Sequence, residues 1–446
     1  MRTLYFIFNI FLNYSLRLYF RNIRLVNSTK SRFSRTIFVS NHPSAFMDPL
    51  IVSVLRKPIV FFMTRSDVFS KWSTPFLSSA HMIPIYRQND GVNAVEKNKE
   101  TFRKATEVLN RNRSLLIFGE GLTDDIFERR LKPLKKGAVR IGFTALEAMN
   151  WEKEIRIVGI GCNYSNPGVM RSDILMAESE PIILNDYKDA YLENPSKTIN
   201  ELNRVVEAHL ISVITNIELD SDFEFHEQVM MLTRSGMSPL CYDQHIPLEK
   251  RWRYSQELAK FINQFKGDYP NELRQLSQDV KGYFHKLKEN QLSEDVLYRR
   301  KNSNQVVRLL QLIILFPIAL LGFVHAYTPY IIIKRFVEKS FKRKVFWCSV
   351  KMVVTMVLMQ LINLPLLFIL PGLLSVGFWP VFAYYLSIGL IGLIWYNWRK
   401  QFFMFISDSK QSNEASETQL WEERATLILR MEQTIPVNIS RSEEHT

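Results

Sequence analysis

From Met352 to Trp398 no side chain carries a formal charge, and the same holds from Leu309 to Ile333. A helix that crosses a bilayer needs roughly 20 apolar residues, so a purely water-soluble fold is excluded. The longer run has room for two spans, 352–371 and 375–398, with Pro371-Gly372 as the turn between them. The shorter run, 309–333, is punctuated by Pro317, Gly322 and Pro329 and reads as a single span or a shallow re-entrant hairpin. Basic clusters lie before it (Arg299, Arg300, Lys301, Arg308), after it (Lys334, Arg335, Lys339, Lys342, Arg343, Lys344) and after the last span (Arg399, Lys400). Cytoplasmic flanks are the Lys/Arg-rich ones. A hairpin followed by two spans puts all three clusters on that face, whereas three full spans put the middle one on the other side. The hairpin is therefore the expectation, in an integral membrane protein whose water-facing domain lies on the cytoplasmic side.

The 446-residue chain has a net charge of +13 and a pI near 9.5, which calls for an anionic partner. No nucleic-acid motif is present, and the positive charge gathers beside apolar runs, where lipid headgroups account for it. Cys162, Cys241 and Cys348 are scattered, with neither metal-ligand spacing nor a disulfide framework, so no metal site is expected. Residues 1–27 carry Asn9, Asn13, Arg17, Arg21 and Arg24 near one helical stripe, the pattern of an amphipathic interfacial helix. The two asparagines interrupt any signal-peptide core, and no small-residue cleavage site follows.

Residues 28–217 alternate short apolar runs with helical patterns, which predicts an α/β domain with a mostly parallel central sheet flanked by helices. Strands are expected at Thr36–Val39, Ile59–Thr64, Met82–Tyr86, Ser114–Phe118 and Ile155–Cys162, with helices over Val92–Arg111, Lys136–Met149 and Ser196–Ile217. A helical spacer or lid (218–305), a membrane block (306–400) and a solvated polar tail (401–446) complete the plan.

Within the α/β region, Thr36-Ile-Phe-Val-Ser-Asn-His-Pro-Ser-Ala-Phe-Met-Asp-Pro-Leu50 is a buried strand breaking into a helix start. Asp48 suits the N-cap and Pro49 the first helical position. This connection can set His42 beside Asp48, a pairing in which the carboxylate fixes the imidazole that takes a proton from an alcohol. Taken alone, it is also ordinary loop chemistry.

Three stretches follow it in order. Met82-Ile-Pro-Ile-Tyr-Arg87 is an extended run ending in arginine. Ile117-Phe-Gly-Glu-Gly-Leu-Thr123 is a strand end with Glu120 between two glycines. Leu134-Lys-Lys-Gly-Ala138 opens a helix whose N–H groups and lysines suit a phosphate. With the apolar strand Ile157-Val-Gly-Ile-Gly-Cys162, the series resembles the phospholipid/glycerol acyltransferase family over roughly Ile37 to Tyr164. It departs from that pattern in the five residues between His42 and Asp48, in Gly119 where proline is usual, in Leu122-Thr-Asp124 without the frequent arginine, and in glycine for proline in the fourth motif. The long first motif and the Leu-Lys-Pro-Leu-Lys-Lys-Gly run are similar to the fungal-type glycerol-3-phosphate acyltransferase branch. Bacterial proteins with a similarly long motif usually take lysophosphatidic acid.

The resemblance implies direct transfer of an acyl chain from acyl-CoA or acyl carrier protein to a glycerol hydroxyl, with no cofactor beyond that co-substrate. His42 would be the base and Asp48 its partner. Arg87, or Lys135 and Lys136, would grip the acceptor phosphate. Asn41, Glu120, Gly121 and Thr123 would line the acceptor pocket. The expected acceptor is 1-acyl-sn-glycerol-3-phosphate, giving phosphatidic acid. Glycerol-3-phosphate and dihydroxyacetone phosphate stay open, and a non-catalytic lipid-binding scaffold is the alternative of another class.

Overall fold

The computed structural model describes residues 2–27, 35–55, 60–86, 94–409 and 414–437. The chain divides into two units: Met1–Asn13, Asn22–Pro167 and Asp173–Asn216 form the first; Tyr14–Arg21, Gly168–Ser172 and Ile217–Thr446 form the second.

The first unit is built on a sheet of β1 (Asn22–Val26), β2 (Thr36–Ser40), β3 (Val60–Arg65), β4 (Met82–Ile85), β5 (Ser114–Phe118), β6 (Arg156–Tyr164), β7 (Asp173–Glu178) and β8 (Ile182–Ile183). Their order is β1-β7-β6-β2-β5-β3-β4, with β8 also against β6. All pairings are parallel except β6 with β7 and with β8. The mostly parallel sheet is therefore present. Its helices are the part of α1 (Arg2–Tyr19) up to Asn13, then α2 (Met47–Leu55), α3 (Thr74–Ser79), α4 (Ala94–Asn110), α5 (Gly137–Ala148), α6 (Lys188–Glu193) and α7 (Pro195–Ile211). Every residue of β2 is buried, as expected of a strand covered on both faces.

Because β2, β3 and β5 run parallel, their C-terminal ends, from which His42 and Glu120 emerge, lie along one edge of the sheet. β6 is parallel to β2 and ends at Tyr164 on the same edge.

Two expectations for this unit need correction. The amphipathic helix does not reach residue 27: it stops at Tyr19, and Asn22-Ile-Arg-Leu-Val26 alternates polar and apolar as β1, pairing with β7. Asn22 seals that pairing with a 2.9 Å bond from Nδ2 to Asp173. Leu12 and Leu16 on α1 are buried, while Phe6 and Ile10 are exposed. The helix expected to run to Ile217 ends at Ile211, and the chain then lies along β6. There Asn163 donates to the Val213 carbonyl at 2.9 Å and accepts from the Thr215 N–H at 2.9 Å. This close approach accounts for glycine in the fourth motif, because a Cβ on Gly161 would sit 2.2 Å from the Val213 oxygen.

In the second unit the stretch read as a spacer is helical: α8 (Asp220–Thr233), α9 (Leu248–Asn263), α10 (Asn271–Glu289) and α11 (Glu294–Asn302). The membrane block follows as α12 (Gln305–Gly322), a π-turn (Phe323–Tyr327), α13 (Thr328–Ser340), α14 (Trp347–Asn363), α15 (Leu366–Leu374) and α16 (Phe378–Asp408). The last helix, α17 (Glu414–Thr434), overturns the solvated tail: Leu420, Leu427 and Met431 are buried in one core with Leu276, Val280 and Tyr283 of α10.

Among the described residues, three stretches are long and apolar enough to cross a membrane: Gln305–Ser340, Lys344–Leu374 and Phe378–Asp408. The turn between the last two falls at Ser375, with φ of 52°. Pro371-Gly372 lies inside α15 instead. The arms of the first stretch have different neighbours. On α12, Arg308 pairs with Asp408 and the Leu312 carbonyl accepts from Trp398 at 2.8 Å, so α12 runs antiparallel to α16. On α13, Glu338 pairs with Lys351, while His325 in the π-turn meets Asn363, so α13 runs antiparallel to α14. Tyr385 of α16 donates to the Gln360 carbonyl of α14 at 2.9 Å.

The π-turn also resolves a proline problem. Pro329 has no N–H to give to the His325 carbonyl one turn back. Asn363 supplies the missing donor from Nδ2 at 3.1 Å, and its Oδ1 lies 3.1 Å from His325 Nδ1.

Candidate active site

β2 ends at Ser40, whose hydroxyl bonds the Ile160 carbonyl at 2.8 Å. The next residue, Asn41, continues the sheet with its side chain: its amide donates to the Cys162 carbonyl at 3.2 Å and accepts from the Cys162 N–H at 2.8 Å. That use explains its burial and leaves it holding the strand end.

The chain then turns through His42-Pro-Ser-Ala-Phe into α2. Asp48 lies in the first turn of that helix, fully buried. One oxygen, Oδ2, takes the Ser44 N–H at 3.0 Å and stands 2.9 Å from His42 Nδ1. The other, Oδ1, accepts the Tyr164 hydroxyl at 2.6 Å. A carboxylate so fully engaged has little freedom, and with Nδ1 as the donor to it, His42 Nε2 is left as a free acceptor. The imidazole is stacked on Phe118 at 4.1 Å with an interplanar angle of 22°. It keeps 19% of its surface exposed.

Glu120 stands in the turn after β5, where its Oε1 accepts the His42 N–H at 2.9 Å. Burial pushes its carboxyl from the ordinary 4.5 up to about 7, a rise that the His42 N–H opposes and nearby Asp48 reinforces. Gly121 adopts φ of +71°, and Lys135 packs where a side chain would grow: a Cβ there would lie 2.9 Å from Lys135 Nζ. Thr123 is buried just beyond.

From Leu122 the chain crosses to α5 as an irregular segment pinned at several points. Arg129, itself buried, donates to the Tyr164 and Ser165 carbonyls at 2.6 and 3.1 Å. The Leu131 N–H bonds Asn216 Oδ1 at 2.7 Å, and the Leu134 carbonyl takes Asn203 Nδ2 at 3.0 Å. Between these pins a cavity of about 230 Å³ opens, lined by His42 and Glu120 together with Asp124, Ile126, Glu128, Arg130 and Lys132. Lys132 pairs with Asp124 at its rim.

Of the residues singled out in the sequence, His42, Asp48 and Glu120 come together. Asn41, Gly121, Thr123, Lys135 and Lys136 are absent from the cavity lining: Asn41 is spent on Cys162, Lys135 covers Gly121, and Lys136 is exposed at the start of α5. The cations on the wall are Lys132 and Arg130, because the pinned segment, not the helix start, passes the cavity. Arg87 lies outside the described residues. Sequence reasoning missed Tyr164, two positions past the end of the expected strand. It also missed Lys132, which belongs to the very Leu-Lys-Pro-Leu-Lys-Lys run that drew attention to its neighbours.

A mostly parallel sheet whose edge presents a His–Asp pair to a cavity lined by both carboxylates and cations has the parts needed to activate an alcohol. Residues 22–162 match a family model described as Acyltransferase. This segment is similar to the phospholipid/glycerol acyltransferase family, and a domain of that family supports acyl transfer in lipid synthesis. No curated protein matches the chain. With three stretches able to cross a bilayer, it is a membrane-bound acyltransferase.

Proposed function

We propose that the protein moves a fatty acyl chain from a thioester donor to the free hydroxyl of 1-acyl-sn-glycerol-3-phosphate, giving phosphatidic acid. One observation carries this reading: a cavity that holds the His42 imidazole, backed by Asp48, also holds Lys132 and Arg130. His42 Nε2 removes the hydroxyl proton as the oxygen attacks the thioester carbonyl. The tetrahedral intermediate collapses to the ester, and the imidazolium returns the proton to the departing thiolate. Base catalysis of this kind contributes about 10²–10⁴-fold. Asp48 holds the ring and stabilises its charged form, while Lys132 and Arg130 take the acceptor phosphate. Glu120 fixes the His42 backbone and, when ionised, accepts from the acceptor.

Exposed Ile126 on the cavity wall and exposed Leu122 beside it favour an acceptor that already carries an acyl chain. A second reading, glycerol-3-phosphate, is favoured by Asp124 and Glu128, whose carboxylates suit a second free hydroxyl. Acylated lipids stay in the bilayer because each buried methylene is worth about 0.8 kcal/mol, so the enzyme must work at a surface. The opposed neighbours of α12 and α13 support a re-entrant hairpin, which gathers the basic clusters on one face. By the positive-inside rule that face is cytoplasmic.

The test is an assay of full-length protein in nanodiscs with lysophosphatidic acid and glycerol-3-phosphate as acceptors, each with acyl-CoA and with acyl carrier protein. The expected result is transfer to lysophosphatidic acid, lost at least about a hundredfold in His42→Ala while the variant stays folded. A fully active His42→Ala removes the mechanism, and a preference for glycerol-3-phosphate moves the protein to the second reading.

A further inference from the structure

Three contacts hold His42, two from the end of β5 and one from α2. Glu120 Oε1 accepts its backbone N–H at 2.9 Å, and Asp48 Oδ2 stands 2.9 Å from Nδ1. These two fix the residue at its backbone and at one edge of its ring. They leave the tilt of the ring open, because a hydrogen bond tolerates a bend of about 30°. Tilt matters at the far edge, where Nε2 must come within about 2.6–3.2 Å of a hydroxyl to take its proton.

The third contact closes that freedom. Phe118, the last residue of β5, is in register with Ser40, the last of β2, and the Gly119 N–H extends the ladder to the Ser40 carbonyl at 3.2 Å. Two residues beyond Ser40, the His42 ring comes to lie on the Phe118 ring, with centroids 4.1 Å apart and planes 22° apart. Phe118 is absent from the cavity lining, so it covers one face of the imidazole without taking space from the acceptor.

The stack has an electronic consequence too. The face of a phenyl ring carries the negative side of its quadrupole and attracts a cation held over it. Neutral imidazole gains little from this, whereas the imidazolium formed as the hydroxyl gives up its proton gains more. An interaction that strengthens as the transition state is approached raises kcat and leaves substrate binding as it was. Leucine fills a similar apolar space and supplies neither the flat surface nor the quadrupole.

We propose that Phe118 is a positioning residue for acyl transfer: it sets the plane of the His42 ring and stabilises the imidazolium that His42 becomes. The inference rests on His42 being the base of the proposed reaction.

The experiment uses full-length protein in nanodiscs, as wild type, Phe118→Leu, Phe118→Tyr and His42→Ala, each checked for folding by its thermal midpoint. Steady-state kinetics is run with whichever acceptor and donor the wild type uses. Phe118→Leu should lower kcat about threefold to thirtyfold, the range for a cation over an aromatic face, with KM unchanged for both substrates. Phe118→Tyr keeps the ring face and should match the wild type. A second measurement is independent of turnover: proton NMR on isotope-labelled histidine, with the His42 signal identified as the one lost in His42→Gln. A proton above a phenyl face is shifted upfield, so the His42 ring protons should lie upfield in the wild type and Phe118→Tyr and move downfield in Phe118→Leu. Unshifted protons in the wild type overturn the stack without recourse to any variant. Wild-type kcat in Phe118→Leu, with His42→Ala inactive, overturns the positioning role and leaves the proposed function standing. A Phe118→Tyr as slow as Phe118→Leu, or a Phe118→Leu changed only in KM, also overturns it. An active His42→Ala removes both together.

Discussion

The Tyr164 hydroxyl lies 2.6 Å from Asp48 Oδ1, on the opposite side of the carboxylate from His42. Both side chains are fully buried, so neither finds water as a substitute. Tyr164→Phe leaves Oδ1 without a donor. A hydrogen bond to a charged group is worth roughly 1.5–3 kcal/mol, so kcat should fall at least about tenfold. KM should hold steady for both substrates, since Tyr164 does not line the cavity. Steady-state kinetics checks the division, and a change confined to KM contradicts the role.

Lys132 and Arg130 share the His42 cavity, whereas Lys136 does not. Lys132→Ala and Arg130→Ala should each raise the KM for a phosphorylated acceptor about tenfold, the cost of one charged contact. Lys136→Ala should leave it unchanged. A monoacylglycerol lacks the phosphate, so its residual acylation should be insensitive to all three. Should Lys136→Ala prove the most damaging, the phosphate belongs at the start of α5 after all.

Glu120 gives the site a pH signature. Its carboxyl is raised to about 7 by burial from an unfolded value of 4.5. In that interval the folded chain binds more protons than the unfolded chain, so this group's contribution to stability falls as pH rises and levels off above about 7. The span corresponds to about 3 kcal/mol. Glu120→Gln, which keeps an oxygen for the His42 N–H, removes that slope. Thermal unfolding of both proteins at about pH 5 and about pH 8 should show the variant gaining on the wild type only at the higher pH. A constant difference contradicts the assignment.

Much of the sheet could be read before any coordinates because β2, β3, β5 and β6 are apolar runs with turn residues at their ends. β1 and β7 could not. Asn22-Ile-Arg-Leu-Val26 continues a helical polar stripe as plausibly as it starts a strand, and only pairing with β7 decides. For α17 the apolar stripe Leu420, Leu427, Met431 was in plain view, yet the polar average of the segment hid it, and its partner α10 lies far away in sequence. At the site, the His42–Asp48 contact follows from local turn chemistry and was legible. Lys132 was not, because its position depends on Arg129 reaching the end of β6. No local pattern encodes that crossing.

The carboxamide of Asn363 is buried and serves a carbonyl that Pro329 has orphaned, in surroundings where no solvent molecule can stand in. Sliding α14 past the π-turn by a single residue would strand that oxygen in hydrocarbon. The pair therefore works as a detent: it gives the π-turn one seat along the neighbouring helix and no graded set of alternatives.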